Sequence, residues 1–165
     1  MNGHSGCEVY LHEESGKKYI RKVSASSFEH SVIRTPAVYK SGYAKDLFYF
    51  DMEFIRGVPM HNYVSLNNMN NILPIFDQIC DYLQNIKAKE GDITAKIRDK
   101  LVSLEPNLTS DVVKYCDYCR DYDWSSAPIS ENHGDLTFEN ILVYRNKLYF
   151  IDFLDSFIQT KYIDY

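Results

Sequence analysis

His133-Gly134-Asp135-Leu136-Thr137-Phe138-Glu139-Asn140-Ile141-Leu142-Val143, followed by Leu148-Tyr149-Phe150-Ile151-Asp152-Phe153, is the stretch that decides the fold. It carries an Asp, an Asn five residues on, and a second Asp beyond two apolar runs. The runs predict one strand over Asn140–Tyr144 and another over Lys147–Asp152. Arg145-Asn146 between them reads as a two-residue hairpin turn, where Asn tolerates positive φ. In that register Tyr144 faces Lys147 and Asn140 faces Ile151, and Asp152 stands one residue beyond. Neighbouring strands lie about 4.8 Å apart, so both side chains can end beside one cation. Pleat alternation points Asp152 away from Asn140. The backbone is therefore expected to leave ideal strand geometry there.

The spacing is that of a phosphoryl-transfer site: a base for a hydroxyl, then two ligands for the magnesium that accompanies ATP. Magnesium takes oxygen ligands, usually one or two carboxylates with phosphates and water. Asp135, on the loop entering the hairpin, can orient or deprotonate a hydroxyl in the same cleft. Asp and Asn are common turn formers, so D-x-x-x-x-N alone is a weak signal. His-Gly before the Asp, an apolar strand after the Asn, and Asp-Phe after the next strand make it a specific one.

Residues 133–153 resemble the catalytic segment of the aminoglycoside phosphotransferase and choline kinase group, the small-molecule branch of the protein-kinase-like fold. The resemblance implies that Asp135 is the catalytic base and that Asn140 and Asp152 hold Mg2+. It makes His133 a structural residue that shapes the loop. It implies an α+β, protein-kinase-like fold: a small antiparallel β-sheet lobe over residues 1–57, then a mostly helical lobe over 58–165 carrying the catalytic hairpin. Gly134 stands where protein kinases usually place Arg, and Thr137 where they usually carry Lys. No A-P-E sequence follows Asp152. These departures point to a small acceptor rather than a protein.

The N-terminal part reads as strands. Glu8–His12 and Lys18–Val23 flank a turn containing Ser15-Gly16. In the kinase-like reading Gly3-His4-Ser5-Gly6 covers the phosphates, because close backbone approach favours glycine; Gly3, Ser5 and Gly6 are its candidate residues. Lys22 grips the phosphates from the third strand, against the plainer reading of a solvated strand lysine beside Arg21. Glu29 is the one carboxylate between Lys22 and Pro36. It is weighed as the lysine's partner against an exposed surface acid. Pro36–Tyr43 and Leu47–Ile55 read as two further strands. Met52-Glu53-Phe54-Ile55 resembles the family's hinge, with adenine bonding backbone groups around Glu53 to Ile55. The first strand of such a lobe is absent, so Val9, Ile20, Val38 and Phe50 are expected to lack part of their cover. A loosely held region before Pro36, or self-association through the incomplete lobe, follows.

The remainder reads as helical. Ile72, Ile75, Phe76, Ile79, Leu83 and Ile86 share one face of a helix expected over Asn70–Lys89. A second helix is expected over Thr94–Glu105, stopped by Pro106, and a third over Ser110–Tyr122, capped by Thr109. Tyr115, Tyr118 and Tyr122 recur at helical spacing. Core packing is preferred for them over an aromatic box for a quaternary ammonium group.

The chain has 165 residues and a formal net charge of −5, with a pI near 5.5. That balance argues against a nucleic-acid partner. No apolar run approaches a membrane span, and Met1–Tyr10 has no secretory pattern. Cys116-x-x-Cys119 lacks a second ligand pair of matching spacing. Reduced thiols fit a cytoplasmic protein. Few residues follow Asp152, so a truncated or minimal form is expected. The reading that emerges is an ATP- and Mg2+-dependent phosphotransferase acting on a hydroxyl of a sugar, amino sugar or amino alcohol. Its rivals are an inactive kinase-like scaffold or an incomplete kinase fragment. The motif leaves the acceptor open.

Overall fold

The computed structural model describes residues 7–24, 35–153 and 158–164. In chain order these form β1 (Glu8–Glu14), β2 (Lys17–Ser24), β3 (Val38–Ala44), β4 (Leu47–Glu53), β5 (Val58–Pro59), α1 (Met60–Leu66), α2 (Met69–Asn85), β6 (Ala88–Gly91), α3 (Thr94–Leu104), α4 (Ser110–Asp121), β7 (Ala127–Ser130), β8 (Ile141–Tyr144) and β9 (Lys147–Phe150). The fold is α+β, with every strand pairing antiparallel. The chain divides into two compact units, Met1–Asp81 with Asp135–Leu154, and Tyr82–Gly134 with Asp155–Tyr165. The lobe boundary expected after residue 57 does not coincide with this division.

The first unit holds a four-stranded sheet in the order β1-β2-β4-β3. Two of its hairpins close through two-residue turns with positive φ at both positions, Ser15-Gly16 and Lys45-Asp46. Such turns match the right-handed twist of the strands they join. Arg21 and Asp51 face each other across β2 and β4. They form a bidentate pair at 2.6 and 2.7 Å, and the guanidinium lies 4.7 Å from the centre of the Tyr49 ring. The Asp51 hydrogen bond holds Arg21 well above even its ordinary pKa.

The same unit holds a second sheet, β5-β8-β9. Its β8–β9 turn is Arg145-Asn146, both at positive φ, and Tyr144 pairs with Lys147 as the spacing predicts. Ile141, Leu148 and Phe150 are buried there, as are Met60 of α1 and Ile72 and Ile75 of α2. α1 packs against β8 and the 3-10 turn Phe138–Asn140. The Phe76 and Phe138 rings meet edge to face at 5.7 Å.

In the second unit β6 pairs with β7. Ile93, Ala127 and Ile158 form a buried cluster, with Ile97, Trp124, Ile129 and Ile163 packed on it. Asp92 accepts a hydrogen bond from the Thr94 N–H at 2.9 Å, which fixes the entry to α3.

Three expectations need correction. The helix expected to run to Lys89 ends at Asn85, because Ala88–Gly91 forms a ladder with Ala127–Ser130. A strand of four residues is too short for periodicity to reveal. Thr109 stands at the start of α4 without a side-chain capping bond; its carbonyl accepts from Val112 and Val113 instead. Tyr115, Tyr118 and Tyr122 are exposed, not core, and Cys116 is the buried residue of α4. Helical spacing groups residues on a face without saying which face is covered. Val38 is exposed, and Val9, Ile20 and Phe50 are half-buried.

Gly57 leads into β5, which runs beside β8. A Cβ at Gly57 would meet the Leu142 Cβ at 2.8 Å, closer than two such atoms pack. Gly57→Ala should therefore destabilise the protein by about 1–3 kcal/mol, the usual cost of overpacking. A denaturant melt with an unchanged midpoint would show that β5 is not held against β8.

Candidate active site

Asp135 and Asn140 stand at the two ends of the short loop entering β8. The Asn140 amide nitrogen donates to both the backbone carbonyl and Oδ2 of Asp135, each at 2.9 Å. The Thr137 N–H also donates to the Asp135 carbonyl, and the Asn140 N–H to the Thr137 carbonyl. The loop is thus a closed hydrogen-bonded turn with the Asp135 and Asn140 side chains locked together. With its nitrogen turned to Asp135, the Asn140 side chain presents Oδ1 as its acceptor atom.

Beyond the hairpin, the Ile151 N–H donates to the Asn140 carbonyl at 2.9 Å, so Asn140 does face Ile151. The next residue, Asp152, has φ of 60°. This is the departure from strand geometry that the alternation argument demands. The left-handed region is sparsely used by residues other than Gly, with Asp and Asn its commonest exceptions.

Lys22 is buried on β2. Its ammonium donates to Asp152 Oδ1 at 2.7 Å. Neighbouring strand positions point to opposite faces, so Arg21 turns to Asp51 while Lys22 turns to Asp152. A solvated strand lysine is therefore the wrong description of Lys22. Lys22 and Asp152 line a cavity of about 350 Å³, together with Phe48, Phe50, Met52 and Phe150.

The four central residues thus form two side-chain pairs, Asp135–Asn140 and Lys22–Asp152, joined through the Asn140–Ile151 backbone bond. Of the expected hinge residues, Met52 lines that cavity, whereas Glu53 and Ile55 do not. Glu53 borders a separate open cleft with Lys17, Lys18 and Arg56, and its N–H donates to the Ala37 carbonyl at 2.8 Å. The Glu53 N–H is thereby engaged within the protein, which leaves the carbonyls and the other N–H groups of Glu53 to Ile55 as the backbone groups of the expected hinge. Ile55 is buried. Gly3, Ser5, Gly6 and Glu29 lie outside the described residues.

Among the described residues no three His, Cys, Asp or Glu side chains converge as a metal site. A magnesium ion accompanying a nucleotide does not require three. A carboxylate and an amide oxygen, completed by phosphate and water, suit it. Asp152 and Asn140 on adjacent paired positions are donors of that kind, so the residues fit the group.

Sequence reasoning missed Asp164. It is buried, and its two carboxylate oxygens accept the N–H groups of His133 at 2.6 Å and Gly134 at 2.9 Å. These are the two peptide groups immediately before Asp135. Gly134 has φ of 80°, and the buried His133 beside it anchors the turn. An Asp four residues after a Thr in a short tail carries no motif that announces this. The signal is only that His-Gly-Asp needs an acceptor for consecutive N–H groups. Burial, followed by the nearby Asp164 and Glu131 charges, pushes the Tyr82 phenol up and keeps it protonated.

Compared with protein-family models and with curated proteins, the chain matches none of them. No helix among the described residues is long and apolar enough to cross a membrane. The four cysteines are free thiols.

Asp164→Ala should strip the buried His133 N–H and the part-buried Gly134 N–H of a charged acceptor and cost about 1.5–3 kcal/mol. Amide exchange at His133 and Gly134 should quicken more than elsewhere. Unchanged exchange at both would show that the loop holds its shape without Asp164.

Proposed function

We propose that this chain is a kinase-like phosphotransferase that uses ATP and Mg2+ to phosphorylate a hydroxyl of a small molecule, such as a sugar, amino sugar or amino alcohol. One observation carries the reading. A lysine from the sheet and an aspartate 130 positions later meet at 2.7 Å, beside the hydrogen-bonded Asp135–Asn140 pair. A lysine, a metal-holding carboxylate and amide, and a base are the parts that phosphoryl transfer in this fold class requires.

Each residue has a defined task in this reading. Lys22 takes the nucleotide phosphates with its ammonium. Asp152 and Asn140 would hold the magnesium, whose charge offsets that of the phosphates when it is bound. Asp135 orients the acceptor hydroxyl and takes its proton as the acceptor oxygen bonds to the γ-phosphorus. The bond from that phosphorus to the β,γ-bridging oxygen breaks, and ADP leaves. The Asn140 amide fixes Asp135 before substrate arrives, so catalysis is mainly positioning and charge stabilisation. Gly134 where protein kinases usually place an arginine, and Thr137 where they usually carry a lysine, favour a small acceptor over a protein.

Asp135→Asn should lower turnover on an accepted alcohol by about 10²-fold or more, the range of general-base catalysis. ATP affinity should stay near that of the parent. Near-parental turnover would remove Asp135 from the mechanism. In calorimetric titrations Asp152→Ala should abolish Mg-ATP binding and Asn140→Ala should weaken it less, since a neutral amide supplies less charge. A parent chain that fails to bind Mg-ATP would return the protein to the scaffold class.

A further inference from the structure

We propose that the Lys22–Asp152 ion pair is an interlock on cation loading. Lys22 occupies the carboxylate that the metal needs until nucleotide phosphate draws the ammonium away. Metal alone then binds poorly, and metal and nucleotide bind with positive coupling. The inference rests on the phosphotransferase reading and adds an order to it.

The geometry supplies the competition. The Lys22 ammonium lies 2.7 Å from Asp152 Oδ1, which is direct ion pairing. The lysine side chain is 8% exposed and the aspartate 37%, so solvent screens the pair only in part. A divalent cation approaching Asp152 meets an adjacent positive charge as well as a neutralised carboxylate. The ammonium has to move first.

The surroundings determine what can move. Lys22 sits on β2, which is paired on both sides, with β1 and β4. The neighbouring Arg21 ties that strand to β4 through Asp51. Asp51 is thereby committed on the other face and offers Lys22 no second carboxylate. Asp152 is fixed in turn by its left-handed backbone and the preceding Ile151–Asn140 bond. The mobile part is the lysine side chain, which borders the cavity of about 350 Å³. An anionic phosphate entering there gives the ammonium a stronger partner and releases Asp152 for the cation. Two binding events that each need the other's rearrangement are coupled, and the coupling is reciprocal.

The test uses Mn2+ alone as the probe, with free metal read by electron paramagnetic resonance. The parent should bind it weakly. Lys22→Met should bind it at least about fivefold tighter, the lower end of ordinary coupling between sites. Lys22→Gln carries the same expectation should the Met variant fold poorly. Lys22→Arg, which keeps the charge, should stay at the parental level. Lys22→Met/Asp152→Ala should lose the gain, which ties it to Asp152. If neither neutral variant binds Mn2+ more tightly than a parent that does bind Mg-ATP, the interlock falls and the phosphotransferase reading stands. A parent that binds no Mg-ATP overturns both.

Discussion

The register of one short hairpin positions the polar residues of the candidate site. Arg145 and Asn146 both adopt positive φ, which closes the β8–β9 turn in two residues. Every later pairing follows, from Tyr144 opposite Lys147 to Ile141 opposite Phe150, and then Asn140 opposite Ile151. A slip of one residue would turn Ile141, Val143, Leu148 and Phe150 out of the core, because side chains alternate with period two. All four are buried, so the apolar contacts hold the register that the polar residues need. The placement of Asn140 and Asp152 is thus a consequence of the packing of the apolar residues beside them.

The two aspartates that frame the hairpin are controlled by different physics. Asp135 is held locally, by Asn140 and by turns within its own loop. Asp152 is held by a residue distant in sequence, Lys22. A net charge of −5 leaves acidic residues in excess, and yet the two lysine and arginine neighbours on β2 are each matched to one carboxylate. Arg21 faces Asp51 directly across the ladder in a fork geometry that suits a fixed structural pair. Among the described residues Lys22 makes one ion pair, through a flexible stem, which suits a partner that changes.

The hairpin was legible because its signals are local: alternating apolar residues, a turn containing Asn, and acids at fixed offsets. The same holds for Ile72, Ile75 and Ile79 of α2, which the helical period placed on one face and the structure buries. Lys45-Asp46 was less visible as a turn, since neither residue is glycine and positive φ there is set by the strands it joins. β6 and β7 escaped for another reason. Each is four residues long, and their pairing joins segments separated by two helices. The α4 tyrosines show the limit of periodicity, which groups residues without identifying what covers them. Asp164 shows the limit of motifs, because its role is set by which backbone groups come near it.

Asp164 also clarifies why a glycine precedes Asp135. Two consecutive N–H groups can point at one carboxylate only if the chain curls tightly between them, and a left-handed residue supplies that curl. Gly134, at φ of 80°, adopts it at little cost, whereas an arginine in that place would be strained. The Asp164 oxygens at 2.6 and 2.9 Å then hold the curl. On the other side of Asp135, the Asn140 amide closes the next turn onto the Asp135 carbonyl and carboxylate. The peptide groups before Asp135 are therefore pinned by a buried carboxylate, and its own oxygens by an amide. A side chain held in this way has little further freedom to lose on binding a ligand, which is what the proposed transfer by positioning requires.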